Sequence, residues 1–341
     1  MTDLLKLTRT LCAIPGISGD EGQVANYITE CIKGYCDYEI DPLGNILVHK
    51  KGKKPAAQKV LFNAHMDEVG FTVCHIAADG TLKFHAVGGV DAAVTVGRRV
   101  EIGPDRVPGV VGTAPIHLTE SAAREKSLSM EELYLDIGAS TREEAEALVR
   151  PGDSVTFADP FAPLGEDYIM GKALDDRAGC AMLIAMIRSE LEYDCSFAFT
   201  VQEEIGCVGA RTAAYALRPD ISVVVETTTA GDLAGVAPSK TVCALGRGPV
   251  VPFMDRGTVY DRSLYDRVHA FAKEQNIPIQ TKEGVYGGTE GRSIQTAAGG
   301  AKVLAVSLPC RYLHSSGCVL HRGDMEQQFR LLSALAAELA R

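Results

Sequence analysis

The chain has 341 residues, and 44 acidic against 34 basic residues give it a formal net charge of −10. This excess of acid disfavours a nucleic acid or an anionic membrane as a partner, because both require a basic protein surface. Hydrophobic residues make up 46% of the chain and charged residues 23%, which is ordinary for a globular protein whose core needs no disulfide bonds.

The ten cysteines indicate a reducing compartment, which we expect to be the cytoplasm. They include no C-x-x-C pair, which argues against a zinc ribbon or a thioredoxin-like site. The N-terminal sequence lacks the basic start and long apolar core of a signal peptide. No apolar stretch reaches the length of about 18 residues that a membrane span requires.

The first part of the chain alternates between helix and strand patterns. We predict a helix over residues 4–12 and a second helix over residues 21–33, with Ser18 as its cap. A hairpin follows, turning at residues 42–45. The next apolar run, KVLFNAH, is predicted to be a buried strand that ends in polar residues.

Between residues 70 and 161 the pattern changes to short strands separated by Gly, Pro and Asp. The strand segments are FTVCHI, TLKFHAV, RRVEI, VPGVVGT, LYLDIG and DSVTF. Their spacing predicts a small all-β barrel or sandwich with one helix over residues 141–149.

From residue 162 onward the helix and strand patterns return. The predicted elements are a helix at DDRAGCAMLIAMIRSELE, a strand at CSFAFTVQ, a helix at GARTAAYAL, a strand at ISVVVE, a helix at YDRSLYDRVHAFAKEQ, a strand at KVLAVSLP and a last helix over residues 324–339. The simplest architecture is an α/β domain over residues 1–69 and 162–341, interrupted by a β-rich insert over residues 70–161.

Several common catalytic motifs are absent. The sequence contains no H-E-x-x-H, no P-loop and no G-x-S-x-G, which removes the commonest zincins, nucleotide hydrolases and serine hydrolases. The glycine-rich segment GVYGGTEG does not match the dinucleotide-binding pattern, and we predict a tight loop there.

Histidine and carboxylate residues cluster where apolar strands end and a helix starts. The groups are His65 with Asp67, Asp175 with Asp176, Glu203 with Glu204, and Glu226 with Asp232. Each has an ordinary explanation as a structural histidine, a helix cap or an exposed charge. Carboxylates directly after a buried strand are costly unless they are paired or bind a metal. Spacing alone leaves a metal site and separate structural roles both open.

His314 follows another apolar strand and would provide a second imidazole. One imidazole for each of two metal ions, with Asp175 as the bridge and Glu204 and Glu226 as terminal ligands, would form a two-metal site. Such ligands suit Zn, Co or Mn. Glu203 is then free to act as the general base.

Four motifs, AHMDEVGF, ALDDR, VQEEIGCVGA and RYLHSS, resemble in this order those of the M42 metallopeptidases, the TET-type and glutamyl aminopeptidase-like enzymes. PGISGDE, VGRRVEI, GVVGTAPIHL, YLDIGASTREEA and GGTEG extend the resemblance over nearly the whole chain. The resemblance implies a zinc-exopeptidase-like mixed sheet flanked by helices, with an inserted all-β barrel used for oligomerisation. It also implies homo-oligomeric shells of twelve subunits whose active sites face an inner chamber.

The resemblance further implies two ligand sets that share Asp175: His65, Asp175 and Glu226 for one ion, and Asp175, Glu204 and His314 for the other. Glu203 matches the general base of the family. Asp67 lies two residues after His65, on the same side of an extended strand, and matches the acid that orients this imidazole.

Two positions depart from the pattern that we expect for the family. Glu226 and Glu290 stand where many members have aspartate. The extra methylene of Glu226 would shift one metal ion or change its preference, and Asp232 is an alternative ligand.

The predicted function is therefore a two-metal aminopeptidase acting on peptides, with zinc as the first choice and cobalt or manganese as alternatives. One alternative is a metal-dependent deacylase or carboxypeptidase of the M20 type, in which the extra domain normally comes later in the chain. Another is a non-catalytic accessory protein that retains the fold. Residues 121–133 are expected to form an interface or a mobile loop.

Overall fold

The computed structural model describes residues 2–115, 117 and 127–341. Parts of the GVVGTAPIHL motif and of the expected interface or mobile loop at residues 121–133 lie outside the described residues. Among the helices that are described, none combines the length and apolar character needed to cross a membrane.

The described helices and strands follow one another in the order in which we number them. The helices are α1 Thr2–Ala13, α2 Gly22–Ile32, α3 Arg142–Glu146, α4 Leu174–Arg188, α5 Val208–Leu217, α6 Arg262–Glu274, α7 Gly291–Ile294 and α8 Arg322–Leu339. The strands are β1 Asp37–Ile40, β2 Ile46–Lys50, β3 Val60–His65, β4 Gly70–Ile76, β5 Leu82–Val87, β6 Arg99–Ile102, β7 Val107–Gly112, β8 Tyr134–Asp136, β9 Ser154–Phe157, β10 Ala162–Leu164, β11 Tyr168–Gly171, β12 Cys195–Thr200, β13 Ile221–Thr229, β14 Val250–Val251, β15 Gln280–Thr281, β16 Lys302–Cys310 and β17 Cys318–His321.

The main sheet has eight strands in the order β1-β2-β12-β3-β13-β16-β14-β15. Its central neighbours β12, β3, β13 and β16 are parallel to one another. Every residue of β3 is buried, because helices cover both faces of a sheet of this kind. The large core on one face includes residues from α1, α2, α4, α6 and α8, whereas α5 and α7 contribute to smaller clusters against the sheet.

The inserted segment forms a closed antiparallel barrel in the order β4-β5-β8-β7-β6-β9. It has its own hydrophobic cluster, in which Phe71 makes edge-to-face contacts with Phe84 and Phe157. Alternating buried residues along the short strands fill the inside of the barrel, as the period-two pattern predicts. The predicted fold class, an α/β domain with a mixed sheet and an inserted barrel, is confirmed.

Three details of the sequence-based prediction were wrong or incomplete. Ser18 does not cap α2; its hydroxyl donates instead to the carboxylate of Asp67 at 2.6 Å. Strand β13 continues to Thr229, so Glu226 lies inside the strand and not after it. The antiparallel sheet β10-β11-β17 was not predicted, because its short strands pair across about 150 residues of chain and carry little periodic signal.

Candidate metal centre

The predicted site residues converge at the carboxyl ends of the central parallel strands, which is where α/β sheets place their binding sites. His65 is the last residue of β3, and Glu203 and Glu204 follow β12. Glu226 lies near the end of β13, and His314 lies in the loop between β16 and β17. Asp175 is at the start of α4, where its backbone angles are non-helical.

The carboxylate of Asp175 lies between the two imidazoles. Its Oδ1 atom is 3.3 Å from Nε2 of His65, and its Oδ2 atom is 3.4 Å from Nε2 of His314. Each imidazole also faces a glutamate: Nε2 of His65 is 3.5 Å from Oε1 of Glu226, and Nε2 of His314 is 3.3 Å from Oε2 of Glu204. The arrangement therefore consists of two histidine–glutamate pairs that share one aspartate.

The main chain orients both imidazoles. Nδ1 of His65 lies 3.0 Å from the carbonyl oxygen of Asp67 and 3.4 Å from its Oδ1 atom. Nδ1 of His314 lies 3.0 Å from the carbonyl oxygen of Gly89. Because a carbonyl can only accept, each Nδ1 must carry the proton, which leaves Nε2 of a neutral ring free to bind a cation.

The Gly89 carbonyl comes from the barrel, in the loop after β5. The preceding residue, Gly88, has a φ of +84°, and a Cβ atom there would lie 3.2 Å from Cβ of Glu204. A Cβ atom on Gly89 would lie 3.4 Å from Nδ1 of His314. Glycine thus allows the barrel loop to approach one histidine–glutamate pair closely.

The carboxylate of Asp67 contacts the loop that carries Glu203 and Glu204 more closely than it contacts His65. Its Oδ1 atom accepts from the backbone amide of Glu203 at 3.0 Å, and its Oδ2 atom accepts from the amide of Glu204 at 3.0 Å. Sequence spacing predicted only the contact of Asp67 with His65. The contacts with the amides of Glu203 and Glu204 depend on the loop after β12, which is distant from Asp67 in sequence.

The electrostatics of the cluster call for positive charge. Burial and the charge of Asp175 raise the pKa values of Glu204 and Glu226 well above the ordinary range. Burial alone would also raise the pKa of Asp175, but hydrogen bonds from His314 and His65 lower it well below its usual range. Burial would lower the pKa of His314, yet Asp175 and Glu204 raise it to about 10.

The donor set fits divalent cations. Ligand atoms of His65, Asp175 and Glu204 all lie within 4.8 Å of one another, as do those of Asp175, Asp176 and Glu226. Among the described residues, buried Oε1 of Glu204 and Oδ2 of Asp176 have no hydrogen-bond partner. Mixed imidazole and carboxylate donors suit Zn, Co or Mn.

Glu203 lies beside this cluster. Burial raises the pKa of its carboxyl group, against the charge of His65 and the hydrogen bond from Cys207, which lower it. The Cys207 thiol donates to Oε1 of Glu203 at 3.1 Å. The other carboxylate oxygen, Oε2, is therefore the one left to receive a proton.

Asp232, which the sequence left open as an alternative ligand, lies in a different environment. Its carboxylate forms a two-point ion pair with Arg311, at 2.9 and 2.6 Å, and accepts from the amide of Leu245 at 3.0 Å. The structure does not bring it into the cluster. Glu290, the other departure from the expected pattern, is fully buried and accepts from Asn63 at 2.6 Å.

A cavity of about 110 Å³ opens onto the cluster. Besides the predicted residues, its walls include Thr227, Lys282, Tyr286 and Thr289. Sequence reasoning missed these residues because they come from strand β13 and from a loop after β15 that has no periodic pattern. The GVYGGTEG segment, predicted to be a tight loop, supplies part of this wall, and Gly287 there has a φ of +64°.

Comparisons with known proteins agree with this geometry. The M42 glutamyl aminopeptidase family model matches residues 44–331. The lysyl aminopeptidase of Pyrococcus furiosus is 32% identical over 346 residues, covering 98% of this chain and 97% of that protein.

Two solved structures also resemble the whole chain. An aminopeptidase from the archaeon Desulfurococcus kamchatkensis has a TM-score of 0.93 and 31% identity, with 99% of this chain and 95% of that chain covered. The TET1 peptidase of Pyrococcus horikoshii, described as assembling into a tetrahedron or a large octahedral shell, has a TM-score of 0.88 and 35% identity, with 98% and 99% covered. The chain therefore belongs to the M42 family of aminopeptidases.

Proposed function

We propose that this aminopeptidase uses two divalent metal ions, zinc in the first instance, to remove residues from the amino terminus of peptides. The observation that carries the proposal is the position of Asp175, whose two oxygens face separate histidine–glutamate pairs. His65, Asp175 and Glu226 would hold one ion, and Asp175, Glu204 and His314 the other.

When bound, a pair of divalent ions polarises a carbonyl group and lowers the pKa of water. The protein's own contribution begins with Glu203. Its Oε2 atom takes a proton from the attacking water and delivers it to the nitrogen of the departing amine, as a general base and then a general acid. Burial raises the pKa of Glu203, which makes the carboxylate a better proton acceptor.

Asp67 acts as a positioning residue in this scheme. Its carboxylate holds the backbone of Glu203 and Glu204, and its carbonyl oxygen accepts from His65. The base and ligands from two strands therefore keep a constant relative position. The small cavity, about 110 Å³, suits one terminal residue better than the middle of a long chain.

We also propose a division into a catalytic domain over residues 1–69 and 162–341 and an oligomerisation insert over residues 70–161. The closed barrel and its separate hydrophobic cluster support this division. Assembly into a homo-oligomer, with a dodecamer as the expected form, is supported by the shells described for the TET1 neighbour. Ten unpaired cysteines support a reducing, cytoplasmic compartment.

The proposal is tested with a panel of aminoacyl-p-nitroanilides. The purified protein is assayed before chelation, after chelation, and after the return of Zn, Co or Mn separately. We expect chelation to abolish turnover and one of these ions to restore it. Turnover that survives complete removal of metal would contradict the proposal.

Two further substrates separate the alternatives. An N-acetylated peptide with a free carboxyl terminus would be cleaved by a deacylase or carboxypeptidase but not by an aminopeptidase. A peptide with a free amino terminus and an amidated carboxyl terminus would be cleaved by an aminopeptidase but not by a deacylase or carboxypeptidase. A metal-loaded protein that cleaves neither substrate would favour the accessory protein.

A further inference from the structure

A buried thiol contacts the proposed base. Sγ of Cys207 donates a hydrogen bond to Oε1 of Glu203 at 3.1 Å, and 5% of the surface of Cys207 is exposed. Among the residues that the structure describes, no other group donates a hydrogen bond to this carboxylate. Because glutamate has a flexible side chain, the orientation of the Glu203 carboxylate depends on this single donor.

The thiol keeps its proton and therefore acts as the donor. Burial and the charges of Glu203 and Glu290 raise the pKa of Cys207. Its sulfur also lies 3.6 Å from the carbonyl oxygen of Thr289, a residue on the wall of the cavity. A thiol has one proton, and the shorter distance and the negative charge favour Glu203 as its acceptor. The side chain of Cys207 thus joins Glu203 to the cavity wall.

The backbone turn at Cys207 does not require this side chain. The residue has a φ of +57° and a ψ of +41°, the left-handed region that glycine adopts freely and a residue with a Cβ atom adopts at a cost. The turn is closed by main-chain hydrogen bonds, from the amides of Gly206 and Cys207 to the carbonyl oxygen of Glu203, both at 2.8 Å. A glycine would make the same turn with less strain and would lose only the contacts of the thiol.

The other buried thiols make a different kind of contact. Cys195, which is also 5% exposed, donates to the main-chain carbonyl of Val60 at 3.5 Å, and Cys180 donates to that of His65 at 3.1 Å. Among the hydrogen bonds that the ten described cysteines donate, only that of Cys207 has a carboxylate as its acceptor. A strained residue whose thiol binds the carboxylate of the proposed base points to a role in positioning that base.

We propose that Cys207 is a positioning residue for the aminopeptidase reaction, and that its thiol holds the side chain of Glu203 in the rotamer in which Oε2 faces the cavity and takes the proton of the attacking water. This inference rests on the proposed function, because it takes Glu203 as the base. Cys207 does not line the cavity and is not a proposed metal ligand. Loss of the thiol should therefore lower kcat and leave KM and metal content unchanged.

Three substitutions at this position separate the thiol from the turn. Cys207→Ala removes the thiol, Cys207→Gly also releases the backbone strain, and Cys207→Ser keeps a donor. We expect kcat to fall about three- to thirtyfold in the alanine and glycine variants, the range for one hydrogen bond, and serine to restore most of it. Wild-type kcat in Cys207→Gly would assign the residue to the turn alone and overturn the inference. A serine variant as slow as the alanine variant would overturn it as well.

Cys195→Ala is the matched control. Cys195 has the same exposed fraction as Cys207 and lies at the start of β12, at the end of the strand away from Glu203. This variant loses a buried thiol of equal size and should keep the wild-type kcat. Urea unfolding of the metal-free proteins verifies that Cys207→Gly is at least as stable as Cys207→Ala. An equal fall in kcat in Cys195→Ala and Cys207→Ala would trace the effect to the loss of any buried thiol and contradict the inference.

Crystal structures of the wild type and of Cys207→Ala provide a readout that does not depend on turnover. We expect one rotamer of Glu203 in the wild type and more than one in the variant, and a single unchanged rotamer in the variant would overturn the inference.

A double variant distinguishes failure of this inference from failure of the proposed function. Adding Cys207→Ala to Glu203→Gln should cause no further loss of kcat, because the base is already absent. Wild-type turnover of Glu203→Gln would refute the proposed base itself. A slow Glu203→Gln together with wild-type kcat in Cys207→Ala would overturn the role of Cys207 alone.

Discussion

The carboxylate of Asp67 accepts a hydrogen bond at 3.0 Å from the backbone amide of Glu203, and so joins the end of β3 to the loop after β12. Its second oxygen accepts from the amide of Glu204 at the same distance, 3.0 Å. His65 lies two residues before Asp67, so one side chain controls how the proposed base and the proposed ligands from two strands are positioned relative to one another.

Replacing this carboxylate should weaken metal binding. In Asp67→Asn, an amide NH₂ group must face one of the two backbone N–H donors, and the negative charge near His65 is lost. We expect an approximately 10- to 100-fold loss of metal affinity, the usual range for groups that orient ligands. Competition with a chromogenic chelator measures it.

Ser18→Ala is the matched control for Asp67. It removes the hydroxyl that donates to Asp67 at 2.6 Å but keeps the carboxylate and its backbone contacts. Its effect on metal affinity should be smaller. Equal affinities of the wild type and Asp67→Asn would show that the carboxylate does not orient the ligands.

Glu203→Gln should separate proton transfer from metal binding. The amide retains the size of the side chain but cannot accept a proton from water, so we expect kcat to fall by about 10²- to 10⁴-fold. Metal content, measured by mass spectrometry, should stay at the wild-type level. Near wild-type turnover would show that another group is the base.

The neighbouring variant Glu204→Gln is the comparison for Glu203. Oε2 of Glu204 lies 3.3 Å from Nε2 of His314, and its Oε1 atom has no partner among the described residues. This substitution should lower metal content together with turnover. Equal metal content in the two variants would contradict the different roles of the adjacent glutamates.

The two histidines should differ in what their loss does to the protein. His314 has a side chain 31% exposed on a loop, so His314→Ala should lose about one metal equivalent and remain folded. His65 is 1% exposed, and its removal leaves buried Glu226 without an imidazole beside it and leaves Asp175 with that of His314 alone. His65→Ala should therefore also lower the free energy of unfolding in the metal-free protein.

Metal stoichiometry and urea unfolding, measured on the same preparations, distinguish these outcomes. Two equivalents of metal retained by His314→Ala would contradict its assignment as a ligand. If metal-free His65→Ala had the same free energy of unfolding as the metal-free wild type, the carboxyl groups of Asp175 and Glu226 would have to be neutral.

Asn45 links the first hairpin to the loop that carries the glutamates. Its Oδ1 atom accepts from the amide of Val201 at 3.0 Å, and its Nδ2 atom donates to the carbonyl of Gly209 at 3.0 Å. Asn45→Ala leaves both backbone groups buried without these partners. We expect a loss of about 1–3 kcal/mol in the free energy of unfolding.

Thr212→Ala is the control for Asn45. It removes a neighbouring exposed hydroxyl, which donates to the Gly209 carbonyl at 2.9 Å, and keeps both Asn45 contacts with Val201 and Gly209. Its effect on urea unfolding should be much smaller. If Asn45→Ala were no less stable than this control, water would have to replace the Asn45 side chain as the partner of the Val201 amide and the Gly209 carbonyl.

The sequence predicts the fold class and the convergence of the site residues for the same reason. Long apolar runs identify the central strands, and the polar residues next to them must meet at one sheet edge, as His65, Glu203 and His314 do. Asp175 is recognisable because it opens a strongly apolar helix. Their assignment to two metal ions and to catalysis stays a prediction.

Other parts of the site could not be predicted from local pattern. The contact of Gly89 with His314 joins residues that are 225 positions apart in the sequence. Neither residue lies in a segment whose hydrophobic pattern indicates this contact. Lys282 reaches the cavity through a loop whose path depends on tertiary packing. Ser18 is a residue type that often caps a helix, but its hydroxyl donates to the carboxylate of Asp67, which lies 49 residues away in sequence.

The approach of Gly88 and Gly89 to Glu204 and His314 has a thermodynamic consequence. If copies of the barrel associate with one another, a change in the position of this loop on association would alter the affinity of these two proposed ligands for metal. By linkage, metal binding must then alter the association constant by the same factor. The dissociation of such an assembly, measured with and without metal, would report this coupling.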